Sequence, residues 1–333
     1  MHKLPVISST ISPAAIAEFA MEKYNLSNNA SCSLLKTGIN HTYRIDDISG
    51  SFIFRVYSYN WRNREEIAEE IKLLNLLREK NISISYPIAD KNNQYIQEIE
   101  APEGRRYAVL FSFAPGNKIL NLNPEIHFEI GKLMAGMHRL TKNLELNRIT
   151  YNATILLNKS MEDIKLFLPY DTKEMDFLVD TKPLLEKQLA GADPGQIRHG
   201  IVHLDIWFDN LNISANNTIT LFDFDFCGNG WLCLDIAYYV MQLYSTEKIE
   251  QERKQKLKSF FAGYEAVEKI SDEEKRMLPA LGVCLYYFYL GVQCSRFDNW
   301  SNTFINEVYM KRFVEVLIKG YYEITKHGIK YDS

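Results

Sequence analysis

An excess of positive charge, a paired-cysteine pattern and a long uninterrupted apolar span are all missing from this 333-residue chain. Lysines and arginines number 38 against 42 aspartates and glutamates, a net charge of -4, so no basic field favours a nucleic-acid backbone or an anionic membrane surface and neither partner is expected. The five cysteines, Cys32, Cys227, Cys233, Cys284 and Cys294, are odd in number and never stand in a CxxC pair. They suggest neither a disulfide framework nor a zinc site, and they fit a reducing cytoplasm. The N-terminus MHKLPVISSTISPAAIAEFA lacks the continuous apolar stretch and cleavage site of a secretory signal. The longest nearly apolar run, LGVCLYYFYLGVQC over 281–294, falls short of the roughly 20 residues of a spanning helix and reads as a buried helix. What is present is ordinary globular material, 46% hydrophobic and 24% charged, at a length that suits two domains or one large one.

The pattern changes once along the chain. Ser12-Pro13 ahead of AAIAEFAMEKY reads as an N-cap, a proline at the first helical position and a helix. CSLLK (32–36), HTYRID (41–46) and SFIFRVYS (51–58) are short runs rich in β-branched and aromatic residues, broken by Gly38 and by Asp47 to Gly50, which predicts antiparallel strands. Between Arg62 and Lys80, Ile67, Ile71, Leu74 and Leu77 recur at three- and four-residue intervals, an amphipathic helix packed on that sheet. QYIQEI (94–99) and RRYAVLFSF (105–113) return to strand character until Ala114-Pro115-Gly116-Asn117 interrupts it with turn chemistry. The boundary is drawn there, giving a strand-rich first lobe over 1–114 and a mostly helical second lobe over 115–333. The second lobe reads as helices over 124–141, 173–191, 231–247, 250–266, 272–295 and 301–326, with short strands only around a polar loop at 200–224. The fold class expected is α+β.

That polar loop carries the chemistry. VHLDIWFDN (202–210) and ITLFDFDFCG (219–228) set His203, Asp205, Asp209, Asn210, Asp223 and Asp225 among apolar neighbours, and carboxylates there are costly to bury unless paired or holding a cation. A hairpin would bring Asn210 and Asp223 to one point, where an amide oxygen and a carboxylate supply hard ligands for Mg²⁺. Asp205 would face the same point as a base. The order His203, Asp205, Asn210, then Asp223-Phe224-Asp225 follows the kinase catalytic loop, in which the first aspartate takes the hydroxyl proton and the asparagine and second aspartate hold metal.

With these residues the chain resembles the aminoglycoside phosphotransferase family, the protein-kinase-like fold that includes homoserine, choline and related small-molecule kinases. The resemblance runs from about Leu34 to Ala237. Where the family usually reads H-G-D, this chain has His203-Leu204-Asp205; FDFD and Leu234-Asp235-Ile-Ala follow. The segment FIFRVYSYNWRNREEIAEEI is similar to the branch near homoserine-kinase-like and bacterial stress-response kinases. The resemblance implies a bilobal fold, ATP and Mg²⁺ as cofactors, and a cation on the third strand held by a helix glutamate. Arg55 stands in that position, and arginine keeps the charge and the two donors a phosphate needs. Glu70 is the expected partner, with Glu66 second. Gly38 to Thr42, including Asn40, lies where a phosphate-covering loop belongs, and backbone groups from Phe111 through Phe113 to Ala114 are expected to hold the base. His203 is expected to brace the loop and Asp235 to cap or brace a helix start.

Bland readings exist for each residue: a core histidine, a strand-edge arginine, a solvated glutamate face, and a core role for Tyr286 to Tyr289. The matched order of strand, helix and loop favours the kinase reading over a polar turn. A metal-dependent phosphoesterase would bring more histidines near the site than this chain does, and a pseudokinase would lack the base or a metal ligand. A Ser/Thr protein kinase of the stress-response type remains the alternative. Only eleven residues separate Asp223 from Asp235, which leaves no room for a long activation segment and suits a small alcohol as acceptor. Asp209 and Asp225, with Asp298 in CSRFDNW (294–300), are surplus carboxylates that would suit a cationic acceptor such as an amino alcohol, amino sugar or choline-like compound. The sequence does not choose between ATP and GTP and is silent on oligomeric state.

Overall fold

The computed structural model describes residues 4–297 and 304–330. Residues 4–115 form one compact unit, and the described residues from Gly116 onward form a second.

The first unit opens with α1 (Pro13–Lys23), whose start is set by Pro13; the Ser12 side chain makes no capping bond, contrary to expectation. The fixed φ of proline already suits the first turn, so no cap is needed to begin it. There follow β1 (Ser31–Lys36), β2 (Asn40–Asp47), β3 (Gly50–Tyr57), α2 (Arg64–Glu79), β4 (Pro87–Ile88), β5 (Ile96–Ala101) and β6 (Gly104–Ser112). All pairings are antiparallel, in the order β1-β2-β3-β6, with both β4 and β5 on the far edge of β6. The two-residue alternation of β3 decides what each face does. Phe54 and Val56 join Ile16 and Ala20 of α1, and Tyr24 just after it, in an apolar core. Arg55 and Tyr57 point the other way and bond to Glu70 of α2. Asn63 and Glu66 close a reciprocal capping box on α2, which fixes where that helix begins.

The second unit begins with α3 (Pro124–Thr141), capped by Asn123, whose side chain accepts from Ile126 N at 3.0 Å. A π-helical stretch over Thr154–Lys159 runs into α4 (Ser160–Ile164), followed by α5 (Lys173–Ala190). Four short strands come next: β7 (His199–Val202), β8 (Leu211–Ile213), β9 (Ile219–Leu221) and β10 (Gly228–Trp231). They make two separate antiparallel pairs, β7 with β10 and β8 with β9. Then α6 (Cys233–Thr246), α7 (Glu250–Glu265), α8 (Asp272–Ser295), α9 (Glu307–Arg312), a second π-helical stretch (Phe313–Lys319) and α10 (Gly320–Thr325) complete the unit.

Helices α3 and α7 meet backbone to backbone. A Cβ on Gly131 would lie 2.2 Å from Phe260 O, and one on Gly263 only 1.9 Å from Phe128 O. Only glycine permits that approach. Around them the core is apolar, with α8 packed against α6, α4 and α5. Helix α8 is longer than the apolar run that announced it: by length and composition it could cross a membrane, and 78% of its most apolar window is buried inside the unit.

Candidate active site

The loop that follows β7 is fixed from below by Asp235, in the first turn of α6. Its carboxylate, excluded from solvent, accepts from His203 N at 2.9 Å and Leu204 N at 2.6 Å. It also meets His138 Nε2 of α3 at 3.0 Å, and a carboxylate that only accepts requires the proton to sit on that nitrogen. Asp235 therefore braces the loop and does not cap α6, whose N-cap position, Leu232, makes no side-chain cap. Leu204 is held at φ 62, a left-handed conformation that costs a residue with a Cβ about 1–2 kcal/mol. It stands where a glycine was expected. The Tyr289 hydroxyl donates to its carbonyl, so both its N–H and its C=O are held.

Asp205 is held at both oxygens. Tyr238 donates to Oδ1 at 2.5 Å and Asn210 Nδ2 to Oδ2 at 2.6 Å. Its backbone N–H donates to His203 Nδ1 at 3.1 Å, which makes that nitrogen the acceptor and leaves the proton on Nε2, 3.2 Å from Phe222 O. The imidazole also lies edge-on to Phe224, with centroids 4.3 Å apart. His203 thus joins the Asp205 loop to the segment that carries Asp223, and is buried while doing so.

The hairpin of β8 and β9, in register Leu211 with Leu221, is closed by Phe222 N donating to Asn210 O at 3.1 Å. Asn210 and Asp223 accordingly leave the same end of it. Asp223 takes φ 66, ψ 66, again left-handed, and aspartate tolerates that region better than most residues. With its Nδ2 committed to Asp205, the Asn210 amide has its oxygen as the hard donor, and Asp223 adds a carboxylate; this donor set fits Mg²⁺. Among the described residues no three of His, Cys, Asp and Glu gather as a metal cluster. A cation held by Asn210 and Asp223 completes its shell with oxygens from elsewhere, as Mg²⁺ does with phosphates.

The three carboxylates assigned to the acceptor fare differently. Asp209 is paired with Lys118 Nζ at 2.7 Å, which corrects its reading as a surplus charge. Asp225 is buried in the single turn Phe224–Phe226, its carbonyl accepting from Arg148 Nη2 at 2.5 Å. Asp298 lies outside the described residues.

In the first unit, Arg55 Nη1 meets Glu70 Oε1 at 3.0 Å, and Tyr57 OH donates to Glu70 Oε2 at 3.1 Å. The guanidinium also lies over the Phe111 ring, 4.9 Å from its centroid. Glu66, the second choice, is occupied by the α2 capping box and by Arg62. Asn40 is buried, and its Oδ1 accepts from Ser58 N at 3.3 Å, so its side chain ties down the end of β3. A Cβ on Gly38 would meet only Lys36 Cε, at 3.9 Å; no crowding demands glycine there. Phe113 lies under Arg44, 4.9 Å from the guanidinium, while the Ser112 backbone is bonded to Tyr86 and Ser85.

A protein-kinase-like α+β fold with an aspartate, asparagine and aspartate in this order is that of a kinase that phosphorylates hydroxyl groups with ATP. Residues 33–270 match the Phosphotransferase enzyme family, and the chain belongs to that family. Homoserine kinase of Xanthobacter autotrophicus is 23% identical, over 89% of this chain and 88% of its own. Among solved structures, a microcompartment-associated aminopropanol kinase is 21% identical with a TM-score of 0.74, covering 93% of this chain and 98% of its own. An amicoumacin kinase, solved with AMP-PNP, Ca²⁺ and Ami, is 18% identical with a TM-score of 0.75 over 95% and 98%.

Three residues of the site, Tyr238, His138 and Lys118, escaped the sequence reading, and Tyr289, read there only as core, also bonds the loop. Tyr238 alone left a local signal, since it lies three positions after Asp235 and so shares its face of α6. The others reach the loop from across the unit.

Proposed function

We propose that this protein transfers the γ-phosphoryl group of ATP to the hydroxyl of a small amino alcohol or hydroxy amino acid, with Asp205 as the base. The observation that carries the reading is the state of Asp205: a carboxylate fixed at both oxygens, on a loop fixed from below, five residues before an asparagine with its amide oxygen left to a cation. So held, it orients the acceptor hydroxyl and takes its proton as the bond to phosphorus forms. Asn210 and Asp223 would hold Mg²⁺, which when bound neutralises charge on the phosphates. Arg55, bonded to Glu70, is the first unit's cation for nucleotide phosphates, and the second unit provides the base and the acceptor site.

The short connection from Asp223 to α6 favours a small acceptor over a protein. Relatives named for homoserine and aminopropanol act on compounds with an amine near the hydroxyl, which supports the same class here. With Asp209 paired to Lys118, recognition of that amine falls to other groups. A cytoplasmic setting, where ATP is supplied, accords with five cysteines that form no disulfide. The test is ADP release from ATP and Mg²⁺ with L-homoserine, 1-amino-2-propanol, ethanolamine, choline, glucosamine and, as a neutral control, glycerol. Saturable, Mg²⁺-dependent release with an amine-bearing alcohol is expected. Tight ATP binding with none of them phosphorylated would overturn the reading in favour of a pseudokinase, and transfer to a protein acceptor alone would favour the protein-kinase alternative.

A further inference from the structure

Two tyrosines from different helices converge on one peptide of the catalytic loop. Tyr238 of α6 donates to Asp205 Oδ1 at 2.5 Å, and Tyr289 of α8 donates to the carbonyl of Leu204. Their rings lie 5.3 Å apart, tilted by 50°, and burial pushes both phenols well above their usual pKa. Each therefore acts as a hydrogen-bond donor over the whole working range of pH. The peptide they hold contains the left-handed Leu204, which is wholly buried, and left-handed leucine does not persist without outside support.

We propose that Tyr238 and Tyr289 are positioning residues of the phosphoryl-transfer reaction: Tyr289 keeps the Leu204 peptide in its strained turn, and Tyr238 fixes the rotamer of the Asp205 carboxylate that the turn presents. The proposal rests on the assignment of Asp205 as the base. Neither tyrosine touches an acceptor in this scheme; both act through the aspartate. The division of labour follows from the atoms. Asn210 holds Oδ2 and also bonds the Asp205 carbonyl, so it fixes the loop's downstream side, whereas the Tyr238 phenol holds Oδ1. Without it the carboxylate is less firmly fixed about χ2, and the reactive oxygen loses aim at little cost to the fold. A leucine at this turn makes the second tyrosine necessary, because glycine would adopt φ 62 unaided.

The experiment uses the full chain and reads ADP release with the acceptor that the panel above selects, or with water as acceptor if the panel yields none. Tyr238→Phe is expected to lower kcat about tenfold or more, the loss of a hydrogen bond to a charged group, with the KM for ATP within about twofold of wild type, since ground-state nucleotide binding is untouched. In an Asp205→Asn background the same change should cost less than about twofold, because a residue that acts through Asp205 has nothing left to position. Equal losses in both backgrounds, or a wild-type kcat for Tyr238→Phe, overturn the assignment. If Asp205→Asn itself turns over normally, the base assignment fails first, and that result is distinguishable from the others. Tyr289→Phe gives an independent arm. It should lower kcat, and adding Leu204→Gly should restore part of it even as the thermal midpoint falls from the lost leucine. No loss from Tyr289→Phe, or no recovery with glycine, would remove Tyr289 from the scheme.

Discussion

Arg55 and Glu70 meet at 3.0 Å with neither side chain open to solvent. A pair in that setting is costly to separate, because each half left alone is a buried, uncompensated charge. Glu70→Ala is expected to destabilise the protein by about 3–5 kcal/mol, with Arg55→Met/Glu70→Leu recovering much of that loss. Chemical denaturation checks it, and a single variant within 1 kcal/mol of wild type, on the order of ordinary surface changes, would show that the pair is not closed off.

Stability and nucleotide affinity separate at Arg55. If Arg55 grips the phosphates, Arg55→Ala raises the KM for ATP more than that for the acceptor, and Arg55→Lys regains part of the loss because charge returns without the two-donor fork. Steady-state kinetics with both substrates varied decides the matter; equal effects on the two return Arg55 to a structural role.

Asp205→Asn should leave ATP binding by calorimetry near wild type while turnover drops by about two to four orders of magnitude, the usual range for a lost general base. The amide keeps the shape and loses the basic oxygen. Turnover within threefold of wild type, on any accepted substrate, sinks the role.

Asp235 offers acceptors to two backbone N–H groups and one imidazole. An asparagine there turns one acceptor into a donor facing another donor, so Asp235→Asn should cost about 1–3 kcal/mol of stability through an unsatisfied buried group. Turnover should fall too, since Leu204 loses the anchor of its N–H. The check is thermal unfolding alongside kcat; a loss of stability with unchanged kcat would mean the loop keeps its turn without Asp235.

Acid should weaken the second unit through His127. It is buried against Tyr239 OH, 2.7 Å from Nδ1, and burial, helped by nearby Lys256, lowers its pKa from 6.5 to about 4. The unfolded chain therefore takes up this proton first as pH falls. The stabilisation is complete above 6.5 and is lost between 6.5 and about 4. At pH 5 the loss is on the order of 2 kcal/mol. Thermal midpoints from pH 7 to 5 should fall less steeply for His127→Gln than for wild type; parallel curves would exclude the histidine as the source.

Much of this architecture could be read from local pattern. The helix over 124–141 was expected at the boundaries it has, and in the structure Asn123 caps it while Pro124 opens its first turn. The strand and helix carrying Arg55 and Glu70 were legible from alternation and from three- and four-residue spacing. The π-helical stretches at Thr154–Lys159 and Phe313–Lys319 were not, since the wider turn is a response to packing with no composition of its own. Nor was the pairing of β7 with β10: GNGW reads as a loop before a helix, and its strand geometry comes from a partner 30 residues earlier in the register of Gly230 with Gly200. The same limit hid Lys118 and Tyr289, 91 and 85 residues from the groups they bind. Asp209 looked unpaired in sequence for no reason except that its partner is far along the chain.

The hairpin of β8 and β9 is only three residues long on each side, with Asn210 and Asp223 at its open end and an exposed turn at its tip. The two oxygen donors are thus spaced by counting: one residue removed from either strand shifts one donor against the other and turns its neighbours inside out. At the tip, around Asn216, the chain is free of that arithmetic. Extra residues there leave the register below untouched. Over evolutionary time such a site would drift in length at its apex and stay fixed in length at its base, whatever happened to the residues between.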